Sequence, residues 1–386
     1  MSDVTIQGYP RGETFGVRNH VVALASVSCA NSVVERIARE HPGVIPVTHQ
    51  HGCTHMGEDR EQVLRALAGT CSNPNVGGAL IVGLGCENVT AGDVAERVAT
   101  ADRLVRTLVI QEIGRAARLF EAAGACVREM EAFVAAQRRE PFDVASLTVG
   151  LECGGSDPFS GITGNPAVGL VSDRLVELGA TAVLSEIPEM IGAEAALADR
   201  IGDAEIRRRL FARIADYVRI ARERGTDLRG ANPSPGNIRA GLSTIEEKSL
   251  GCIAKGGQSD IVELVRYAER PGRRGLVVMD TPGNDPESVT AMAAGGAQVV
   301  LFTTGVGTPV GNPVAPVIKI ATNTRTFENM RDFMDLNAGR IVEGMSIEEV
   351  AGELFETLLA VCNGQPVAAE VNQCREFAVN RLGPTL

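Results

Sequence analysis

Four side chains that could bind a metal ion fall within seven residues of this sequence. In the segment HQHGCTH, His49, His51, Cys53 and His55 occupy every second position. In an extended chain these side chains would share one face, because successive side chains point to opposite sides. Imidazole and thiolate groups are ligands of transition metals. We therefore predict a metal site here; the alternative is a polar loop with hydrogen-bonded histidines.

Three cysteines follow or end predicted strands, and each lies next to a glycine. They are Cys53, Cys86 in GLGCEN and Cys153 in LECGGSD. A neighbouring glycine lets the backbone turn sharply and leaves a thiolate accessible. Any one of these cysteines could equally be a small buried apolar residue. The predicted metal ligands are His49, Cys53, Cys86, Glu87 and Cys153.

Lysine is rare, which makes each one a candidate for chemistry. The 37 basic residues include only Lys248, Lys255 and Lys319. The first two lie in TIEEKSLGCIAKGG, and a lysine in a desolvated pocket can act as a base or bind an anion. The alternative is an ordinary solvated helix start. We predict Lys255, Lys248 and His51 as catalytic residues.

Glycine-rich loops recur at 154–161, 232–237 and 303–311. Their backbone N–H groups could hold an anionic group of a substrate. None is a dinucleotide fingerprint or a phosphate-binding P-loop, which disfavours a nucleotide-dependent oxidoreductase. The predicted substrate-binding residues are Arg18, Asn19, Ser156, Asp157, Asn232, Ser234, Asn237, Thr303 and Thr304.

Short apolar runs alternate with amphipathic stretches, which predicts strands alternating with helices. Strands are predicted at 21–27, 44–48, 78–85, 106–111, 146–153, 275–281, 297–304 and 316–322, with helices between them and at 347–362. This order is typical of mainly parallel sheets with helices on both faces. We predict two α/β domains, 1–140 and 141–386, divided near the charged segment 137–143. Open α/β sheets build their sites at the carboxyl ends of the strands, where these loops lie.

Composition narrows the class of protein. The 386 residues are 44% hydrophobic and 22% charged, and the longest apolar runs are too short to cross a bilayer. The net charge of −11 disfavours nucleic acid as a partner. Nine cysteines without a secretion signal are typical of a reducing compartment, so we expect a cytoplasmic protein.

Long ordered motifs resemble the altronate/galactarate dehydratase family over nearly the whole chain. They are GYPRGETFGVRN, HQHGC, GLGCEN, ECGGSDPFSGITGNPAVG, NPSPGN, TIEEKSLG, KGG, MDTPG and FTTGVGTPVG. The large subunit of sulfolactate sulfo-lyase is also similar. Two departures are the missing Asp-Gly-Arg of the opening motif and Val306, where many members carry arginine.

The resemblance implies a metal-dependent lyase, usually linked to iron(II), that removes water from C3 of a 2-hydroxy sugar acid and yields a 2-keto-3-deoxy acid. An iron–sulfur centre is also possible. It further implies a separate small subunit of about a hundred residues, the size of a small domain. We also expect the protein to form an oligomer. The alternatives are sulfolactate cleavage to pyruvate and sulfite and, more weakly, a non-catalytic subunit that binds sugar acids.

Overall fold

The computed structural model describes residues 4–98, 102–228 and 232–383. The chain forms two α/β domains, each built on a parallel sheet with helices on both faces. The predicted fold class is therefore confirmed, whereas the predicted boundary near residue 140 stays a prediction. No helix in the described ranges is long and apolar enough to cross a membrane.

The first domain contains a four-stranded sheet. Its strands, in spatial order, are Val44–Val47, His20–Ala25, Val76–Gly83 and Leu104–Val109, all parallel. Alternate side chains of His20–Ala25 enter different cores, as the two-residue period of a strand requires. The helices of this domain are Asn31–Glu40, Gly57–Cys71, Ala91–Glu96, Ile110–Ile113 and Ala116–Ala136.

The second domain contains a seven-stranded parallel sheet. Its spatial order is Ile261–Val265, Gly275–Met279, Thr181–Leu184, Thr148–Cys153, Val299–Thr304, Val317–Ala321 and Leu336–Asn337. The strands that come next in the sequence after Thr148–Cys153 lie on one side of it in the sheet. The later strands, beginning with Val299–Thr304, lie on its other side. Such a reversal opens a crevice at the carboxyl ends of the two strands, where ligands bind in open α/β sheets.

Helices cover both faces of this sheet. Gly164–Glu177 and Ile347–Cys362 share one core with it, and Asp285–Ala294 lies in the core of the opposite face. The remaining helices are Glu194–Ala198, Ala204–Glu223, Pro235–Arg239, Ile245–Ile253, Thr324–Asn329 and Ala368–Val371.

One helix of the first domain packs against one helix of the second, in a core that the two domains share. Gly57–Cys71 packs against Asp285–Ala294, and this core includes side chains from both parallel sheets. The contact requires a glycine, because a Cβ at Gly69 would lie 2.4 Å from the carbonyl oxygen of Ala294. The two domains therefore bury apolar surface against each other.

Several elements were not expected from the sequence. Thr14–Gly16, Thr5–Arg11 and Glu140–Asp143 form a small antiparallel sheet, so the segment 137–143, near which the domains were predicted to divide, contains a strand. Thr181–Leu184 and Ile261–Val265 were also missed as strands. Residues 229–231, directly before the predicted glycine-rich loop 232–237, lie outside the described ranges, as do residues 99–101 of a predicted helix.

Candidate active site

Three side chains with metal-binding atoms meet at the crevice of the seven-stranded sheet. Cys153 ends the central strand, Glu186 follows the neighbouring strand Thr181–Leu184, and Cys252 lies in the helix Ile245–Ile253. Their two sulfur atoms and a carboxylate oxygen lie within 4.8 Å of one another, and all three residues are buried. Across the described ranges, this is the group of three such ligands that the structure brings together.

Glu186 adopts an unfavourable backbone conformation that is held by its neighbours. Its φ of 67° is in the left-handed region, which costs a residue with a side chain on the order of 1 kcal/mol or more. The N–H of Glu186 donates to Oγ1 of Thr281 at 2.7 Å. Its Oε2 accepts from the backbone N–H of Cys153 at 3.0 Å and from Nζ of Lys255 at 2.5 Å. These bonds fix the carboxylate beside Cys153.

Lys255 lies in the turn Ala254–Gly256, directly after the helix that carries Cys252, and is fully buried. Burial by itself lowers the pKa of Lys255. The neighbouring Cys153, Cys252 and Glu186 outweigh burial and raise that pKa well above its usual range. The side chain is then an ammonium at neutral pH, which favours a role as a charge partner or proton donor.

Lys248 forms a second pair close to the first. Its Nζ lies 2.9 Å from Oε2 of Glu189 and donates to Oδ1 of Asn232 at 2.8 Å. Burial raises the pKa of Glu189, although Lys248 opposes this effect. Lys248 and Cys252 are four residues apart on one helix, so they project from the same side. The TIEEKSLGCIAKGG motif therefore supplies two lysines and a thiol to one region.

Two acidic residues that the sequence analysis did not select also belong to this region. The carboxylate of Asp285 lies so close to Gly154 that a Cβ there would be 2.2 Å from Oδ2. Burial and the charge of Glu186 raise the pKa of Asp285 to about 7. Burial, followed by Glu186, raises the pKa of the fully buried Glu152 well above its usual range. Asp285 is therefore suited to exchange a proton near neutral pH.

Glu152 is held by hydroxyl groups rather than by a cation. Its Oε2 accepts from Oγ of Ser185 at 2.9 Å and from Oγ of Ser288 at 2.6 Å. Its Oε1 is buried and has no hydrogen-bond partner within the described part of the chain. The raised pKa favours the protonated form, because ionisation would place a charge in the core that the nearby Lys255 offsets only in part.

The glycine-rich loop at 154–161 borders a cavity of about 280 Å³ that is also lined by Lys248. Asp157 anchors this loop by accepting from the N–H of Ser160, from Oγ1 of Thr322 and from Nδ2 of Asn323. Because the volume approaches that of a small-ligand pocket, the space beside Lys248 is suitable for a small organic acid.

The other predicted substrate-binding residues of this domain organise loops. Asn237 donates to the carbonyl oxygen of Ser156 at 2.9 Å, and its N–H is capped by Oγ of Ser234. Thr303 donates to Oδ1 of Asn165 at 2.6 Å, and Oγ1 of Thr304 accepts from the N–H of Gly307 at 2.9 Å. Asn232 is the partner of Lys248. Direct substrate contacts by these residues stay predictions.

The HQHGCTH segment does not remain extended. Gly52 has a φ of 105° and Thr54 a φ of 56°, so the chain turns within the segment. The centre of the His51 ring nevertheless lies 6.2 Å from that of His49 and 5.3 Å from that of His55. Both ring nitrogens of His49 bond to the backbone, Nε2 with the carbonyl oxygen of Ala25 at 2.7 Å and Nδ1 with the N–H of His51 at 3.0 Å. Burial lowers the pKa of His49 to about 4. This histidine supports the loop.

His51, His55 and Glu87 also form hydrogen bonds with the backbone. Nε2 of His51 bonds to the carbonyl oxygen of Val379 at 2.8 Å, and that of His55 accepts from the N–H of Gly52 at 2.9 Å. Glu87 accepts from the N–H of Gly85 at 2.6 Å. Cys53 is partly exposed and Cys86 is exposed. Of the five predicted metal ligands, only Cys153 lies in the three-ligand group described above.

Arg18 and Asn19 use their side chains in structural contacts. Arg18 forms a two-pronged ion pair with Glu370, with nitrogen–oxygen distances of 2.7 and 2.8 Å. Asn19 accepts from Arg11 at 2.7 Å and donates to the carbonyl oxygen of Val134 at 3.0 Å. Their predicted role in substrate binding gains no support from these contacts.

Comparison with known proteins identifies the family. A family model described as the second domain of D-galactarate dehydratase/altronate hydrolase matches residues 8–135. A second model, D-galactarate/altronate dehydratase, C-terminal, matches residues 144–385. The chain is 38% identical to an altronate dehydratase of Bacillus subtilis (strain 168) over 99% of its own length and 78% of the relative.

Two further relatives match at similar identity. An altronate dehydratase of Escherichia coli (strain K12) is 35% identical over 100% of this chain and 79% of the relative. The (2R)-sulfolactate sulfo-lyase subunit beta of Chromohalobacter salexigens is 35% identical over 98% of this chain and 97% of the relative.

Because it matches altronate and galactarate dehydratases, this two-domain α/β chain is an enzyme of the lyase class. The chain belongs to the D-galactarate/altronate dehydratase family. Dehydratases of this kind are hydro-lyases, so the prediction of a lyase is confirmed, as is the resemblance from which it came.

Proposed function

We propose that the chain is the catalytic subunit of a dehydratase that removes water from C3 of a 2-hydroxy sugar acid and yields a 2-keto-3-deoxy acid. The observation that supports this most directly is the buried group of Cys153, Glu186, Cys252 and Lys255 at the crevice of the sheet. The similarity to two altronate dehydratases over essentially the whole chain points to sugar acids of the altronate or galactarate type.

The reaction needs a base for a weakly acidic proton. A base works best when its pKa lies near the operating pH. Asp285, whose pKa is raised to about 7 by burial and Glu186, meets that requirement better than Lys255, whose pKa is raised. We assign Asp285 to removal of the proton beside the carboxylate. We assign Lys255 to charge stabilisation and to donating a proton to the leaving hydroxyl group.

The donor set of Cys153, Cys252 and Glu186 fits a divalent transition metal. Thiolate sulfur combined with a carboxylate oxygen suits iron(II) or zinc rather than magnesium or calcium. When bound, such an ion supplies Lewis-acid stabilisation of negative charge on substrate oxygen atoms. Two thiolates are fewer than the four that usually hold an iron–sulfur cluster, which favours a single ion.

The loops beside this group are suited to orient the substrate. Lys248 borders the 280 Å³ cavity together with Ser156 and Asp157 and can hold a carboxylate there. Holding the substrate at one end fixes its C2–H and C3–OH bonds relative to the acid and base, and such positioning contributes strongly to rate.

Sulfolactate cleavage is the second candidate. The chain spans 97% of a protein named as a sulfolactate sulfo-lyase subunit. Val306, half exposed, lines a cavity of about 390 Å³ whose wall also contains Arg325. An apolar side chain at this position reduces the positive charge available for a second anionic group. This counts against the dicarboxylate galactarate, whereas the case for sulfolactate, which also carries two anionic groups, rests on the similarity of the sequences. The same base and metal ligands would serve this reaction, with sulfite as the leaving group.

The test is a comparison of three substrates under anaerobic conditions with iron(II): altronate, galactarate and (2R)-sulfolactate. Formation of a 2-keto acid and release of sulfite are measured together. We expect 2-keto acid without sulfite from a sugar acid, and none from the Cys252→Ser variant. Sulfite release from sulfolactate alone would select the second candidate, and no turnover of any of the three would contradict both.

A further inference from the structure

Two adjoining cavities lie on the side of the molecule away from the candidate active site. Their volumes are about 440 and 410 Å³, and they share Arg11, Thr14 and Arg270 as wall residues. Arg103 directly precedes a strand of the first sheet, whereas Arg270 lies in the loop before the strand Gly275–Met279 of the second. The walls therefore come from the amino-terminal ends of both sheets, at the seam between the domains.

The cavity walls are strongly basic although the chain is acidic. Seven arginines and three carboxylates line the two cavities, whereas the net charge of the whole chain is −11. Of the three carboxylates, Glu269 is paired with Arg266 outside the cavities. Like charges concentrated at one place raise the energy of the empty site and favour binding of an anion.

The most buried of these arginines lack carboxylate partners. Arg103 is 8% exposed, and its Nη1 donates to the carbonyl oxygens of Cys71 and Asn73. The buried Nε of Arg103 has no hydrogen-bond partner within the described ranges. Arg11 is 4% exposed and donates to carbonyl and amide oxygens but to no carboxylate. Asp102, which also lines one cavity, offsets part of the charge of both arginines, although it forms an ion pair with neither of them in the described ranges. A buried guanidinium without an ion-pair partner is costly unless an anion neutralises it.

Arg270 and Arg274 complete the site from the second domain. Arg270 is exposed and makes one long hydrogen bond, of 3.3 Å, to the carbonyl oxygen of Ser72. The charge of Arg270 lowers the pKa of Arg103, although burial contributes more. The free donors of Arg270 are therefore available to a ligand placed between the domains.

We propose that this seam is a binding site for the phosphate group of a small phosphorylated metabolite, separate from the site of the lyase reaction. Guanidinium groups bind phosphate through paired N–H···O bonds, and phosphate carries the charge that several arginines can neutralise. A ligand held there would contact both domains at once. The inference does not depend on the identity of the substrate.

The experiment is calorimetric titration of the full chain with two probes, inorganic phosphate and glucose 6-phosphate, at constant ionic strength. We expect saturable binding of at least the sugar phosphate. Arg270→Gln should weaken that binding roughly tenfold or more, since each charge-assisted bond is a strong one. Binding of inorganic phosphate without binding of glucose 6-phosphate would mean that the site takes the free anion and not a phosphorylated metabolite.

The matched control is Arg208→Gln, which removes an exposed arginine paired with Glu205 on a helix that does not line the cavities. This variant should bind like the original chain. Arg270→Gln should also keep its lyase turnover, because it lies away from the crevice. Absence of saturable binding to the original chain, or equal loss in the two variants, would overturn the proposal.

Discussion

The ammonium nitrogen of Lys255 lies 2.5 Å from a carboxylate oxygen of Glu186, and both side chains are almost completely excluded from solvent. Each charge compensates the other inside the protein. The same carboxylate also accepts from the N–H of Cys153. The pair thus links the turn after one helix to the end of the central strand, and it sets the charge of the candidate site.

This pair leads to a prediction about stability. Lys255→Met leaves the charge of Glu186 buried and unpaired, which should lower the free energy of unfolding by about 3–5 kcal/mol. Adding Glu186→Gln should recover part of that loss, because the two changes remove both charges. Urea unfolding of the single and double variants measures the coupling. Lys319→Met serves as the control, since this buried lysine forms no ion pair among the described residues. The loss of stability in Lys319→Met and that in Glu186→Gln should simply add in the double variant.

The assignment of Asp285 as the base predicts a pH profile. The base must be deprotonated, so kcat/KM should fall as the pH drops below about 7, the pKa to which burial and Glu186 raise this carboxyl group. Asp285→Asn should lower kcat by roughly a hundredfold or more. Glu287→Gln, two residues further along the same helix, is the control and should retain both rate and profile. If Asp285→Asn kept the full rate, Asp285 could not be the base, and Lys255 would be the next candidate for that role.

Metal binding should depend on the buried thiols of the three-ligand group. We expect Cys252→Ser or Cys153→Ser, reconstituted anaerobically with iron(II), to bind much less metal than the original chain. Cys126→Ser removes a partly exposed thiol outside that group and should leave the metal content unchanged. Elemental analysis after desalting supplies the measurement. Equal metal content in all three variants would place the ion elsewhere, and the thiols of Cys53 and Cys86 would then be the next to replace.

The burial of His49 leads us to expect that the folded protein loses stability in acid. Its folded-state pKa of about 4 lies below the ordinary value of 6.5, because burial disfavours the charged ring. The unfolded chain therefore binds more protons between these values, and the stabilisation present above pH 6.5 is lost as the pH falls toward 4. Between pH 8 and pH 5 this amounts to about 2 kcal/mol. Urea unfolding at both values should show a smaller difference for His49→Gln, with His41→Gln as control.

A partner subunit is a further expectation. The protein from Chromohalobacter salexigens that matches this chain over 97% of its length is named as subunit beta, which implies another subunit. We propose that this chain also acts with a small subunit. Co-expression with a short neighbouring reading frame, followed by affinity purification, tests for a stable complex. Turnover should rise when the complex forms, and equal activity of the isolated chain would argue against the proposal.

The main strands of the fold could be predicted from the sequence more reliably than the residues of the candidate active site. Strands such as Val76–Gly83 were predictable because they are continuous buried apolar runs. Glu140–Asp143 was not, because it contains a proline and pairs only at a small sheet. Lys255 was selected by its rarity. Glu186 and Cys252 were missed, since neither the left-handed backbone of the first nor the position of the second beside Cys153 has a local sequence signal.

The burial of every lysine has a practical consequence for chemical labelling. The side chain of Lys248 is 13% exposed, and Lys255 and Lys319 are completely buried. Reagents that acylate or cross-link primary amines should therefore react with few side chains of the folded protein, although they would reach all three after unfolding. Incorporation of such a reagent can then report the unfolded fraction directly. Immobilisation for binding measurements needs chemistry directed at groups other than lysine.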